Sequence, residues 1–183
     1  MNAKCQEANQ QRIGRISRRF AGVCSALMAG AVALVVIYWA TLDLATLNAK
    51  WMDGVATVPS FPPLLRGACL ALSLGLAWPV LLGLVHLRRL FRLYAAGVMF
   101  GERNVAALRG FGLSLALFAV AQLLYTPIMA LTISSGNPPG QRLISVGIDA
   151  GVMVAAVAGG VLMVIAWVMD EARKINEDQQ LTV

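Results

Sequence analysis

The stretch Leu87–Gly112, LRRLFRLYAAGVMFGERNVAALRGFG, decides how the chain folds. It carries Arg88, Arg89, Arg92, Arg103 and Arg109 against a single acid, Glu102. Leu65–Leu87 before it and Leu108–Ile133 after it are apolar runs. Each exceeds the roughly 20 residues needed to cross the hydrocarbon core of a bilayer. A basic interruption between two such runs is a membrane loop, and its arginines set which way the protein faces.

The bulk numbers agree. Of 183 residues, 58% are hydrophobic and 13% charged, with mean hydropathy +0.71. Soluble domains carry about 25% charged residues. The net charge of +6 does not point to nucleic acid, because the basic residues flank apolar runs. No direct nucleic-acid binding is expected. His86 is the only histidine, and there is no CxxC pair, so neither a metal nor a cofactor has ligands to use. Cys24 and Cys69 fall near the starts of two antiparallel spans, too far apart for a disulfide. Converging catalytic groups are missing, and an enzyme is not expected.

Four spans can be drawn: Phe20–Leu42, Leu65–Leu87, Leu108–Ile133 and Val146–Val168. The first is too long for a signal-peptide core and reads as uncleaved. Tyr38 and Trp39 lie near its far end, where an aromatic belt belongs. Residues 1–19 form a basic cytoplasmic tail, either a disordered topology signal or a short amphipathic helix using Ile13 and Ile16. Asp43–Leu64 reads as a loop broken by Pro59, Pro62 and Pro63, with Asp43 as an interfacial polar residue. Residues 88–107 are the cytoplasmic loop, 134–145 an outer turn and 169–183 a C-terminal tail. Asp149, near the outer end of the fourth span, could pair with Arg142 or Arg66. The two tails and the central loop hold twelve Lys/Arg, and the other side holds Lys50, Arg66 and Arg142. That asymmetry places both termini in the cytoplasm. The expected fold is all-α, an integral membrane four-helix bundle.

Small residues recur at four-residue spacing in three spans: Gly22, Ala26 and Gly30; Gly67, Ala71, Gly75 and later Gly83; Gly147, Gly151, Ala155 and Gly159. Such rows let helix backbones approach closely in lipid. They serve either internal packing or a homo-oligomer seam.

Within the central stretch, Leu87, Leu90, Phe91 and Tyr94 share one helical face, with Arg88, Arg89 and Arg92 on the other. The second helix is therefore expected to continue beyond the bilayer, with Gly97 as its stop and Asn104 as N-cap of the third helix. The run through Gly97, Phe100, Asn104, Leu108, Arg109 and Gly112 resembles the central signature of bacterial membrane proteins grouped as domain of unknown function 2975. The ending through Glu177, Asp178, Leu181, Thr182 and Val183 is similar to that family's ending. A glycine that the family often carries before the tail helix is Ala172 here, which leaves the turn there open.

The resemblance implies a multi-pass protein of the bacterial cytoplasmic (inner) membrane, surrounded by membrane lipid and not known as an enzyme. It also implies a partner, a small cytoplasmic helix-turn-helix regulator commonly encoded beside such proteins. A docking surface for it would comprise Arg88, Arg89, Arg92, Gly97, Phe100, Asn104, Arg109, Glu177 and Asp178. Two other readings stand beside it: a structural turn with topology-setting arginines, and a small accessory subunit of a transporter or other membrane complex.

Overall fold

The computed structural model describes residues 2–51, 61–98, 101–135, 137 and 149–180, with side chains for 13–48, 61–98, 101–135, 137 and 149–175. It is all-helical: α1 (Asn2–Thr41), α2 (Leu44–Trp51), α3 (Pro63–Ala95), α4 (Glu102–Ser134) and α5 (Ala150–Gln180). Within these lie four segments long and apolar enough to cross a membrane: Ile13–Thr41, Pro63–Ala95, Glu102–Ser134 and Ala150–Ile175. At ~1.5 Å per residue, helices of 33 and 40 residues reach about 50 and 60 Å, well beyond a hydrocarbon core of roughly 30 Å. α1 therefore carries the basic N-terminal segment as an unbroken helical extension.

The helices pack in chain order. α1 lies on α3, α3 on α4 and α4 on α5, and no other helix pair makes comparable contact among the described residues. The result is an open row. Only 6–22% of each span's most apolar window is buried inside the protein, so most of its surface faces the surroundings. In lipid that exposure costs little, because the acyl chains are as apolar as the side chains.

α1 meets α3 through Gly14, Ser17, Ala21 and Cys24, all buried at i, i+3, i+4 spacing. The expected row on this helix, Gly22, Ala26 and Gly30, lies elsewhere. Gly22 and Ala26 are exposed, and a methyl added at Gly22 or Gly30 would touch nothing within 4 Å. α4 meets α5 at Gly112 and Gly159. A methyl on Gly159 would stand 2.8 Å from the Gly112 carbonyl oxygen, and one on Gly112 would stand 3.0 Å from that of Gly159. Only hydrogen side chains permit that approach. Gly83 serves α3 and α4 in the same way, against Ser114. Gly67, Gly75 and Gly151 remain exposed, and Gly147 lies outside the described residues.

The main core sits at the end away from the central loop. Trp39, Leu42, Leu47, Cys69, Met129 and Ile133 are buried together. Trp39 does not belong to an exposed belt: it is 2% exposed, and its indole N–H donates to Ser73 Oγ at 2.7 Å. Ser73 is in turn 2.9 Å from the Tyr125 hydroxyl and donates to the Cys69 carbonyl. A buried indole needs an acceptor, and the next helix supplies it. Cys24 and Cys69 are free thiols.

The segment expected to be a loop contains α2. Asp43 starts it, accepting the Thr46 N–H at 3.0 Å, while its carbonyl accepts from Leu47. That cap is a local interaction which three downstream prolines do not forbid. It lowers the Asp43 carboxyl pKa, chiefly through Thr46. Leu47, on α2, is wholly buried in the core. Arg66 does not pair with Asp149. It donates to the Ala40 and Leu42 carbonyls at 3.2 and 3.1 Å, closing the end of α1, with its guanidinium 5.1 Å from the Phe61 ring centroid. Asp149 is exposed ahead of α5, its carbonyl accepting the Val152 N–H. Arg142 lies outside the described residues.

Candidate docking surface at the basic end

α3 runs through the polar boundary as the amphipathic pattern requires. Leu90 is buried and Phe91 stacks on Phe20 of α1, ring centroids 5.3 Å apart. Arg88, Arg89 and Arg92 are exposed on the opposite side and, with Val85 and Leu93, line a groove of about 460 Å³. The apolar contacts hold the helix, which leaves the arginine face free.

Gly97 ends this helix by a specific device. Its φ is +80°, the left-handed region that glycine enters without strain. The Gly97 N–H donates to the Tyr94 carbonyl and the Val98 N–H to the Leu93 carbonyl, both at 3.1 Å. These are the paired bonds of a Schellman motif, and they satisfy carbonyls the helix would otherwise leave open.

The third span starts earlier than expected, and Asn104 is not its cap. α4 begins at Glu102 behind an extended Gly101, whose carbonyl accepts the Asn104 N–H at 2.9 Å. Asn104 therefore sits inside the first turn. It is 1% exposed, and its Nδ2 donates to the Val98 carbonyl at 2.7 Å. Its Oδ1 is buried with no hydrogen-bond partner. The residue ties the turn after α3 to the start of α4, instead of capping its own helix. Proximity in sequence to an apolar run suggested a cap; the actual acceptor lies six residues upstream.

Arg109 is exposed but belongs to a second groove, between α4 and α5. Glu102, Val105, Ala106 and Arg109 line one wall; Met163, Ala166, Trp167 and Asp170 line the other. α5 continues helical through Ala172 to Gln180, so no turn forms at Ala172. Asp170 pairs with Arg173 at 3.4 Å and Lys174 at 3.2 Å, and Glu171 lies 3.6 Å from Lys174. Glu177 and Asp178 are in α5, but their side chains lie outside the described residues, as does Phe100 entirely.

The site residues thus divide. Arg88, Arg89 and Arg92 share one groove, Gly97 and Asn104 build the turn beside it, and Arg109 faces another. The helix pairing also brings the basic part of α1 to this end, since Gly14 lies against Ala95 and Phe20 against Phe91. Among the described residues, Arg15, Arg18, Arg19, Arg88, Arg89, Arg92, Arg103 and Arg109 have no carboxylate within 4.0 Å. No group of three or more His, Cys, Asp or Glu side chains that could hold a metal occurs among the described residues.

The family description that matches the chain reads "Protein of unknown function (DUF2975)", over residues 34–183. No curated protein and no solved structure matches the chain.

Proposed function

The chain belongs to the DUF2975 family, and we propose that it is a non-enzymatic membrane partner that anchors or modulates a small cytoplasmic helix-turn-helix regulator. It is a four-span membrane protein by helix length and composition. The observation that carries the reading is the Arg88/Arg89/Arg92 groove. Three arginines without carboxylate partners stand on a helix held rigid by Leu90, the Phe20–Phe91 stack and the Gly97 turn. Holding the helix from its other face leaves those charges available to a partner, where charged patches raise association rates and set specificity. The count of basic residues supports a cytoplasmic orientation for this end, in the inner membrane of a bacterium.

Photo-crosslinking in living cells from position 93, which lines the groove beside the three arginines, followed by identification of the adduct, tests this. A helix-turn-helix protein should be caught, and reversing all three arginines to Glu should lower its yield about tenfold or more. Adducts only to lipid, or an unchanged yield after reversal, would refute it. A large integral membrane protein as the adduct would favour an accessory subunit instead. The open helix row supports that second reading, since the outer faces of α1 and α5 are available to further spans.

A further inference from the structure

We propose that the groove between α4 and α5 is a binding site for the headgroup of a diacyl aminophospholipid, with phosphate on Arg109 and the primary ammonium on Glu102 and Asp170. This does not rest on the docking reading, which uses the other groove.

Two helices build the site, and its charges are ordered along the helix axes. Counting from the Gly112–Gly159 contact at ~1.5 Å per residue, Arg109 stands about 5 Å and Glu102 and Asp170 about 15 Å toward the basic end. The cation is the deeper group and the carboxylates the shallower. A phosphoethanolamine head has the same order reversed in sign, its phosphate next to the glycerol and its ammonium outermost. Arg109 is exposed, at the start of the apolar part of α4, and a long stem there extends its guanidinium toward water. No carboxylate lies within 4.0 Å of it, although two line the same groove. Its charge is thus open to a phosphate, the planar anion-binding geometry that arginine suits.

Glu102 has no ion-pair partner among the described residues, whereas Asp170 is shared with Arg173 and Lys174. Glu102 is therefore the main acceptor for the ammonium. Between the cation and the carboxylates, Val105, Ala106, Met163 and Ala166 make an apolar floor. Trp167 is 67% exposed at the rim. Aromatic rings at this level sit among headgroups. The groove, about 460 Å³, takes a headgroup and the first carbons of its chains. A headgroup with phosphate but no cation would leave the outer carboxylates unmatched. A choline head would bring a cation that cannot donate hydrogen bonds to them.

The test is native mass spectrometry of the full chain released from nanodiscs of phosphatidylethanolamine, phosphatidylcholine and phosphatidylglycerol in equal amounts. Wild type should retain phosphatidylethanolamine about tenfold over the other two, the value of one charge-assisted hydrogen bond. Arg109→Gln should lower retention of all three lipids. Glu102→Gln should lower phosphatidylethanolamine retention to the level of the other two lipids and leave theirs unchanged. Both residues are exposed, and circular dichroism confirms that each variant is folded. Equal retention of phosphatidylcholine by wild type, or retention unaffected by Arg109→Gln, overturns the proposal. So does a disulfide-linked dimer formed through Trp167→Cys, which would put a second copy in the groove.

Discussion

The two ends of the helix row are held by different physics. At the end near α2, Trp39, Leu47, Cys69, Met129 and Ile133 are buried, and a hydrogen-bonded chain runs from Trp39 through Ser73 to Tyr125. At the basic end, the contacts are small side chains, one stacked aromatic pair and a turn tied by Asn104. The first end is a core in the sense used for soluble proteins. The second is a scaffold that holds a surface in place while leaving eight arginines with no carboxylate within 4.0 Å among the described residues. Burial is thus concentrated where there is little charge.

Replacing Trp39 by Ala attacks the first end directly. It removes a fully packed indole and one hydrogen bond to the Ser73 hydroxyl, which keeps Tyr125 and the Cys69 carbonyl as partners. A loss of about 3 kcal/mol is expected, from cavity and hydrogen-bond terms. Thermal melting in mild detergent measures it. A loss below about 1 kcal/mol would mean that this cluster does not dominate, and the contrast between the ends would fail.

Gly159→Val probes the row between the two ends. Its new carbons would meet the Gly112 carbonyl and the Ala116 amide, so α4 and α5 must separate. About 2 kcal/mol of destabilisation is expected. Gly22→Val on the exposed row of α1 should stay within about 0.5 kcal/mol. Equal effects at the two positions would show that the α1 row is also packed, as in a homo-oligomer.

At the basic end, Gly97→Ala forces a Cβ into a left-handed conformation and should cost about 1 kcal/mol. Hydrogen exchange should rise in the last turn of α3 and the first of α4, with the Trp39 cluster unaffected. Faster exchange around Trp39 as well would mean that the ends unfold as one unit.

The smallest effect belongs to Asp43. Its folded pKa lies below the ordinary carboxylate value, because Thr46 donates to the charged form. The cap therefore stabilises α2 fully above the unfolded value and is lost as pH falls through the lowered folded one. Melting of the wild type should show an acid-side decline that is slightly shallower in Asp43→Asn, where Asp170, ion-paired with Lys174 and Arg173, still titrates. A decline identical in the variant would remove the cap from the account of the α2 end.

Much of this was legible in residues 87–112. The alternation of Leu87, Leu90 and Phe91 with three arginines predicts a helix that leaves the bilayer with one face packed, and Gly97 predicts its stop. Both are local consequences of spacing and of glycine's access to positive φ. The role of Asn104 was not legible, because its partner is a carbonyl placed by the turn rather than by its own helix.

Hydropathy and length alone determine that the chain has four membrane-length helices. The positions of its arginines alone mark one end of them as basic. Only the tertiary structure decides which glycines touch, that Trp39 is core rather than belt, and that Arg66 closes α1 instead of meeting Asp149. The reason is the solvent. In water, an apolar face announces itself against a polar one. Along a span surrounded by lipid both faces are apolar, so the buried face is chosen by contacts between distant segments that no local pattern records.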